Sequence, residues 1–521
     1  MSGQQTTDYE ELPYTNNSCP SSHPFALSTV GWLHGLTPPI AKQCRVLELG
    51  CGRGGNILPM AEGMPESDFV GLDLSHRQIA DAVTWKNTAG LNNAEFRTMD
   101  LCEVGPDLGQ FDFIIAHGVY SWVPPHVQEH LLRICSQNLT PDGLAYVSYN
   151  TYPGWHYRGV IRDLLNHFVA RDAGARDQVD QARRLMEAVI KALPDPNGIR
   201  TKLVIEECRT LLAQADGYIY HDHLEADNRP CYFHQFIDHA RQHDLQFVAE
   251  ALVSPLREGI PGPARQAATE VIGDDHLQNE QLTDYLIHRT FRRTILCHHT
   301  RQPTNQVVPE RLLDCSFRSS CQPAENTDSS ELNAPRTFIT RQGDSFTTNH
   351  PLVCSVLIAL YEASPSAMPF AELVEEVARR RAPSTADSDA VSEVEVAHIC
   401  FETYRRGAVE IHRERYEFCS VVSDRPHASW IARLQADGDS RVTNREHRSI
   451  DLNAVDRFLL TQMDGVSTIE ELLARTHAHV STGKLEIQGY QTLAASEQLD
   501  RLRHLIVARC QYLGSNGFLI A

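Results

Sequence analysis

At 521 residues the chain is longer than one hydrophobic core can organise, so several domains are expected, each burying its own apolar set. A composition of 42% hydrophobic and 22% charged residues excludes a disordered chain, and a formal net charge of −20 argues against a protein that grips nucleic acid by neutralising phosphates. A cationic partner suits that balance better.

The N-terminal "MSGQQTTDYEELPY" has no basic segment followed by an apolar one, so no secretory signal is expected. The longest apolar stretch, "PLVCSVLIALY" at 351–361, falls short of the roughly 20 residues of a spanning helix. A cytoplasmic protein without a membrane segment follows as the expectation. The 14 cysteines are scattered singly, mostly in apolar runs (Cys44, Cys51, Cys135, Cys354), without a CxxC pair; they read as reduced, buried thiols.

In chain order, residues 1–43 form a lead, with Tyr14 and His23 as candidates to close over a ligand. From 44 to 155, "CRVLELG", "DFVGLDL", "AEFRTMDL", "FDFIIAHG" and "LAYVSYN" are short apolar runs separated by helical stretches, the pattern of a parallel α/β sheet covered on both faces. Ser75 and Gln78 form a capping box at the start of one helix, and Pro124 and Pro125 open another. The segment 156–299 is helical through "VDQARRLMEAVIKAL" and "KLVIEECRTLLAQA", and "LQFVAEA" and "RRTILCHH" are expected to return to the sheet as its last strands. Residues 300–335 are polar and read as a linker. The remainder, 336–521, has two units of winged-helix order. The first has helices near 350–362, 369–381 and 390–406, with a hairpin of "AVEIH" and "YEFCSVV". The second has helices near 453–463, 467–477 and 496–512.

"RVLELGCGRGGN", residues 45–56, satisfies G-x-G-x-x-G, which alone does not separate a dinucleotide from other ligands. Its carboxylate does. Glu48, at the last strand position and two before Gly50, would repel a pyrophosphate and attract an ammonium or sulfonium. Asp73, ending the second strand, can accept both ribose hydroxyls, and Asp100, ending the third, the adenine amine. Carboxylates at successive C-terminal strand ends suit S-adenosyl-L-methionine. The expected donor contacts are Glu48, Gly50, Cys51, Gly52, Gly54, Asn56, Asp73, Leu74, Gln78, Asp100, Leu101 and His117.

The segments "SSHPFALSTVGWLHGLTPP", "CRVLELGCGRGGNILPMA", "FVGLDLSHRQI", "FDFIIAHGVYSWVP", "AYVSYNTYPGWH", "YIYHDHLEADNRPCYFHQF" and "RRTILCHH" give the chain, over about residues 9–299, a specific likeness. It resembles class I methyltransferases that carry a methyltransferase regulatory domain, a group that includes rickettsial lysine methyltransferases acting on an outer-membrane protein. The resemblance implies a Rossmann-like seven-stranded sheet, S-adenosyl-L-methionine as donor and a lysine-containing protein as acceptor. An exported acceptor would have to be methylated before export. One departure stands out: amine methyltransferases often carry Asn/Asp-Pro-Pro-aromatic after the fourth strand, where this chain has "HGVYSWVPP".

Methyl transfer is an in-line displacement that needs alignment and exclusion of water more than a strong acid or base. His117, as proton acceptor or adenosine contact, and Tyr120 are the candidates for polar work. Trp122, Tyr152 and Trp155 are candidate aromatic walls for a cation, while Tyr157 is expected to pack beneath the helical insertion. "HDHLEADN" offers His221, His223, Glu225 and Asp227, but lacks a second spaced pair, so no metal site is expected. A small-molecule methyltransferase is the alternative enzyme. A donor-sensing winged-helix regulator is the non-enzyme alternative, but residues 351–521 hold 18 basic against 24 acidic residues, which disfavours DNA. Self-association is compatible with the sequence.

Overall fold

The computed structural model describes residues 17–193, 198–225, 227–251, 262–273, 275–319, 321–324, 335–340, 343–381, 391–488, 490 and 495–520. Its centre is a seven-stranded sheet in the order β3-β2-β1-β4-β5-β7-β6. The strands are β1 (Arg45–Leu49), β2 (Asp68–Asp73), β3 (Ala94–Thr98), β4 (Phe111–Ala116), β5 (Leu139–Asn150), β6 (Leu245–Glu250) and β7 (Phe291–His298). Strands β1 to β5 run parallel, and β7 pairs antiparallel with both β5 and β6. All seven coincide with the apolar runs read from the sequence. The reason is burial on both faces: Val46, Leu47 and Leu49 of β1 and Phe113, Ile114 and Ile115 of β4 have no exposed surface, and each such side chain contributes roughly 1.5–3 kcal/mol.

The last two strands are fastened by a charge cluster. Arg292 of β7, without exposed surface, donates to both oxygens of Asp284 at 2.9 Å and to Glu250 of β6 at 2.8 Å. A buried guanidinium is tolerated because every direction it points in holds an acceptor.

Three differences from the sequence reading concern the flanks. The lead was expected as a lid, yet the helix Pro24–Leu33 is part of the core. Phe25, Leu27 and Val30 pack with the sheet, and Leu33 packs into the C-terminal part. Tyr14 lies outside the described residues. His23 is buried; its Nδ1 accepts from Phe25 N and caps that helix. Second, the stretch expected as a linker contains strand Ser316–Ser319, which pairs antiparallel with Val409–His412 and with Met368–Pro369. It takes the place expected for "YEFCSVV", whose only pairing is a single bridge from Cys419 to Leu519. The polar residues before that segment are bonded to the core instead: Arg413 donates to Ser28 Oγ at 2.9 Å, and Glu414 accepts from Ala41 N at 2.9 Å. Third, the second unit has an unforeseen helix, Trp430–Gly438, and an unforeseen hairpin, Arg441–Thr443 with Ser449–Asp451. Glu62, from the core, caps that helix by accepting from Trp430 N at 2.5 Å and from Ser429 Oγ. The helices themselves fall close to expectation, at Pro351–Ala363, Phe370–Arg381, Glu393–Arg405, Ala454–Gln462, Ile469–Ser481 and Ala495–Ser515.

Candidate functional site

The glycine turn after β1 lies where strand order reverses between β1 and β4, the crevice position of an open α/β sheet. Glycine is needed here. Gly50 has φ +72°, and a Cβ on it would sit 2.5 Å from Val119 Cγ2, on the loop after β4; Gly52 has φ +55°, and its Cβ would meet Gln78 Oε1 at 2.9 Å. The tight turn consumes its own amides. Gly50 and Cys51 donate to Leu72 O at 2.8 and 3.0 Å, Gly52 to Asp73 Oδ2 at 2.8 Å, and Gly54 to Cys51 O at 3.0 Å. A phosphate cradle needs such amides free. This turn therefore offers carboxylates rather than donors, and suits a cation. Cys51 contributes a buried thiol that burial pushes up, so it is held neutral.

Glu48 is 3% exposed; its Oε1 accepts from Asn56 Nδ2 at 2.8 Å, while its buried Oε2 has no hydrogen-bond partner. Burial pushes the carboxyl up to about 8, against the pull of the Asn56 hydrogen bond. A buried carboxylate oxygen without a donor is costly, and an ammonium at Oε2 would satisfy it, so the residues present fit the amino group of S-adenosylmethionine. The free protein holds the Glu48 proton up to about pH 8, and an ammonium would displace it. Donor affinity is thus expected to climb between pH 6 and 7.5, by up to about tenfold per pH unit, with proton release. Calorimetry at pH 6.5 in two buffers of different ionisation enthalpy measures that proton; no release would mean Glu48 is not the group that ionises.

Asp73 is fixed by two amides, Gly52 N on Oδ2 and Ser75 N on Oδ1 at 2.9 Å, and burial pushes its carboxyl up. Ser75, not Asp73, caps the following helix His76–Thr88 by accepting from Gln78 N at 3.3 Å. Leu74 beside it is 57% exposed. Asp100 is exposed, and its Oδ1 accepts from Cys102 N at 2.9 Å, capping the short turn Leu101–Glu103; Leu101 is buried. Because water competes at Asp100, Asp100→Ala should raise the donor dissociation constant only a few-fold, about 0.5–1.5 kcal/mol; equilibrium dialysis checks this.

Asn56 does not keep its amide for a ligand. Its Oδ1 accepts from Cys19 N at 2.8 Å and from His447 Nε2 at 2.7 Å, and its Nδ2 donates to Glu48 and to Ser22 Oγ at 3.0 Å. The backbone N–H of Cys19 can only donate, which fixes the orientation of the amide and requires Nε2 of His447 to carry its proton. Burial pushes His447 down to about 3, so the ring is neutral. His447 sits in the loop of the hairpin Arg441–Thr443 and Ser449–Asp451, with φ +60°. Asn444 Oδ1 holds that loop by accepting from Glu446 N and Arg448 N at 3.1 and 2.8 Å. A residue of the C-terminal part thus reaches Glu48 through one side chain.

His117 is half-buried, with Nδ1 3.0 Å from Tyr146 Oη and 3.6 Å from Cys19 Sγ. Burial opposes ionisation of Cys19, but the His117 ring and the hydrogen bonds from His117, Ser21 and Tyr146 outweigh it, bringing the thiol down to about 5. Sequence reasoning missed Cys19, Tyr146 and His447: the first was one of 14 scattered cysteines, the second a strand residue, and the third lies 391 positions from Asn56.

The aromatic candidates divide. Tyr120, in the turn Tyr120–Trp122, is 4% exposed, packs 5.0 Å from Phe236, and its hydroxyl is 2.8 Å from His239 Nδ1. Trp155 is 3% exposed and stacks on His223 at 6.0 Å. Both serve packing. Trp122 and Tyr152 are half-buried, Tyr152 stacked on His156 at 4.2 Å. Tyr157, expected beneath the insertion, is 47% exposed. In "HDHLEADN", His221 and His223 are buried, and burial pushes His223 down to about 3.

Three family models match the chain: a methyltransferase domain at residues 46–143, a predicted methyltransferase regulatory domain at 215–298, and the PKMT C-terminal winged helix domain at 424–511. A Rickettsia prowazekii protein, RP789, is 29% identical over 98% of this chain and 93% of its own; a second, RP028, is 33% identical over 45% of this chain and 94% of its own. The structure of PKMT2 from Rickettsia typhi, also solved in complex with AdoHcy, superposes with a TM-score of 0.87 at 24% identity, covering 98% of this chain and 100% of that one. The chain belongs to the class I methyltransferases that carry a methyltransferase regulatory domain and a PKMT winged-helix domain. It is an enzyme, and its methyl donor is S-adenosylmethionine, which supplies an electrophilic methyl on sulfur. Among the described residues, no helix is long and apolar enough to cross a membrane.

Proposed function

We propose that the enzyme methylates lysine side chains of a protein acceptor, and that an outer-membrane protein intercepted in the cytoplasm before export is the acceptor class. The observation that carries this reading is that the segment matching the PKMT winged-helix domain also supplies His447 to the network around Glu48. That makes the C-terminal part a working piece of the enzyme rather than an appended DNA reader. The net charge of −20 suits a lysine-rich acceptor.

In this reading Glu48 receives the donor's ammonium, Asp73 its ribose hydroxyls and Asp100 the adenine amine, with Leu74 and Leu101 flanking the base. Gln78 lines the turn, and Asn56 positions Glu48 instead of touching the donor. The half-buried Trp122 and Tyr152 are assigned as aromatic walls for the acceptor. An acceptor lysine must lose a proton, which at pH 7 costs about 4.6 kcal/mol from a reference pKa near 10.4. His117, half-buried with Nδ1 3.0 Å from Tyr146 Oη, is the side chain this reading assigns to take that proton. In this reading the segment 44–155 holds the donor, and the segments 156–299 and 336–521 recruit the acceptor.

Incubation with methyl-labelled donor and a panel of outer-membrane protein precursors, followed by hydrolysis to amino acids, tests this. Label recovered as methyl-lysine supports the proposal. Label appearing only in low-mass metabolites would replace it with small-molecule methylation.

A further inference from the structure

We propose that Glu129, His239 and His243 form a binding site for one divalent transition-metal ion of the zinc class, at the contact between two helices beside the donor-binding core. Glu129 lies on the helix Pro125–Gln137; His239 lies on the helix Phe233–Arg241, and His243 follows four residues later. The three ligand atoms lie within 4.8 Å of one another. Glu129 Oε2 is 2.9 Å from His239 Nε2, and Glu129 Oε1 is 3.1 Å from His243 Nε2.

The site is more than an ion pair. The His243 side chain is only 10% exposed, and its Nε2, although 3.1 Å from Glu129, is aligned too poorly to hydrogen-bond and has no other partner. A buried ring nitrogen left without a partner is unfavourable, and a cation between the two rings and the carboxylate would satisfy it. His239 has the second hydrogen bond that metal-binding imidazoles use: its Nδ1 is 2.8 Å from Tyr120 Oη, which can accept the Nδ1 proton and leave Nε2 for the metal.

Two imidazoles and one carboxylate favour zinc over magnesium, which prefers an all-oxygen octahedron. Tetrahedral ligands on bonds of about 2.0 Å stand about 3.3 Å apart, so the two carboxylate–imidazole spacings need to open by a few tenths of an ångström, while the widest spacing, up to 4.8 Å, has to close by about 1.5 Å through side-chain rotation. The side chain of Glu129 is 45% exposed, which leaves a fourth position to water. An ion here would pin the 215–298 segment to the core. Through Tyr120 it would also bias the turn after Val119, the residue that crowds Gly50. The sequence did not reveal the site because its carboxylate is 110 positions from His239.

Full-length protein freed of metal with a chelator is titrated with ZnCl2, and in parallel with MgCl2, by calorimetry. The expected result is Zn2+ uptake that falls by one equivalent in Glu129→Gln and in His243→Asn, with circular dichroism unchanged. Mg2+ should give no saturable heat. Tyr120→Phe should retain the site with about tenfold weaker affinity. Glu129 is exposed enough that its substitution leaves the fold intact, so identical zinc stoichiometry in wild type and Glu129→Gln, or no saturable uptake at all, would overturn the proposal.

Discussion

Replacing Glu48 with glutamine is expected to weaken binding of S-adenosylmethionine by about 30- to 1,000-fold at pH 8, about 2–4 kcal/mol, the range for removing one partner of a buried charge pair. Glutamine keeps the size of the side chain and an oxygen for Asn56 Nδ2, so Asn56, Cys19 and His447 retain their hydrogen bonds. What disappears is the charge at Oε2, the buried atom without a partner. The loss should depend on pH in a specific direction. With a carboxyl pushed up to about 8, ionising Glu48 at pH 7 costs about 1.4 kcal/mol and at pH 6 about 2.7 kcal/mol, and the wild type bears that cost while the variant does not. The gap between them should therefore narrow on acidification, with the glutamine variant nearly flat from pH 6 to 7.5. Titration calorimetry at three pH values reads both the gap and its slope. A wild-type affinity that ignores pH, or a variant that binds as tightly as the wild type, would remove Glu48 from the donor site.

His447→Ala is expected to raise the donor dissociation constant about tenfold and to lower thermal stability, although the residue belongs to the C-terminal part. The neutral ring donates to Asn56 Oδ1, and Asn56 in turn orients Glu48. Removing the ring withdraws one of two donors from a buried carbonyl, a loss of about 1–3 kcal/mol. It also opens a cavity between rings that pack closely, His23 lying 5.1 Å from His447 and 5.0 Å from Tyr416. The two effects separate experimentally. His447→Gln restores a donor of similar reach and should recover donor affinity more than stability, because it leaves the aromatic packing unfilled. An alanine variant that is less stable yet binds donor normally would reduce His447 to an interface residue. Equal losses in both variants would argue for packing as the cause.

The links in the chain from sequence to site differ in how local they are. The seven strands, the glycine turn and the carboxylates at successive strand ends were legible because each is written in nearby residues: an apolar run buried on both faces, a turn that only glycine can make, an acid two residues before it. The choice of a cationic nucleoside over a dinucleotide was likewise available from Glu48 alone, and the consumed amides of Gly50, Cys51, Gly52 and Gly54 supply its structural counterpart.

What the chain could not announce were relations between distant positions. The roles of Asn56, Tyr120 and Trp155 depended on what folded against them. Asn56 looked like a ligand contact, but is saturated by Cys19, Ser22 and His447; Tyr120 looked like a polar group of the site and Trp155 like a pocket wall, but they are enclosed by Phe236, His239 and His223. The strand Ser316–Ser319 resembled a linker because four residues carry too little pattern to outweigh polar neighbours, and only pairing with Val409–His412 made it a strand. Local backbone preference and burial periodicity are properties of short segments, so the sequence by itself determined the elements and the sign of charge in the crevice. Hydrogen-bond saturation and side-chain enclosure are settled by partners tens to hundreds of residues away, and those only the tertiary structure decided.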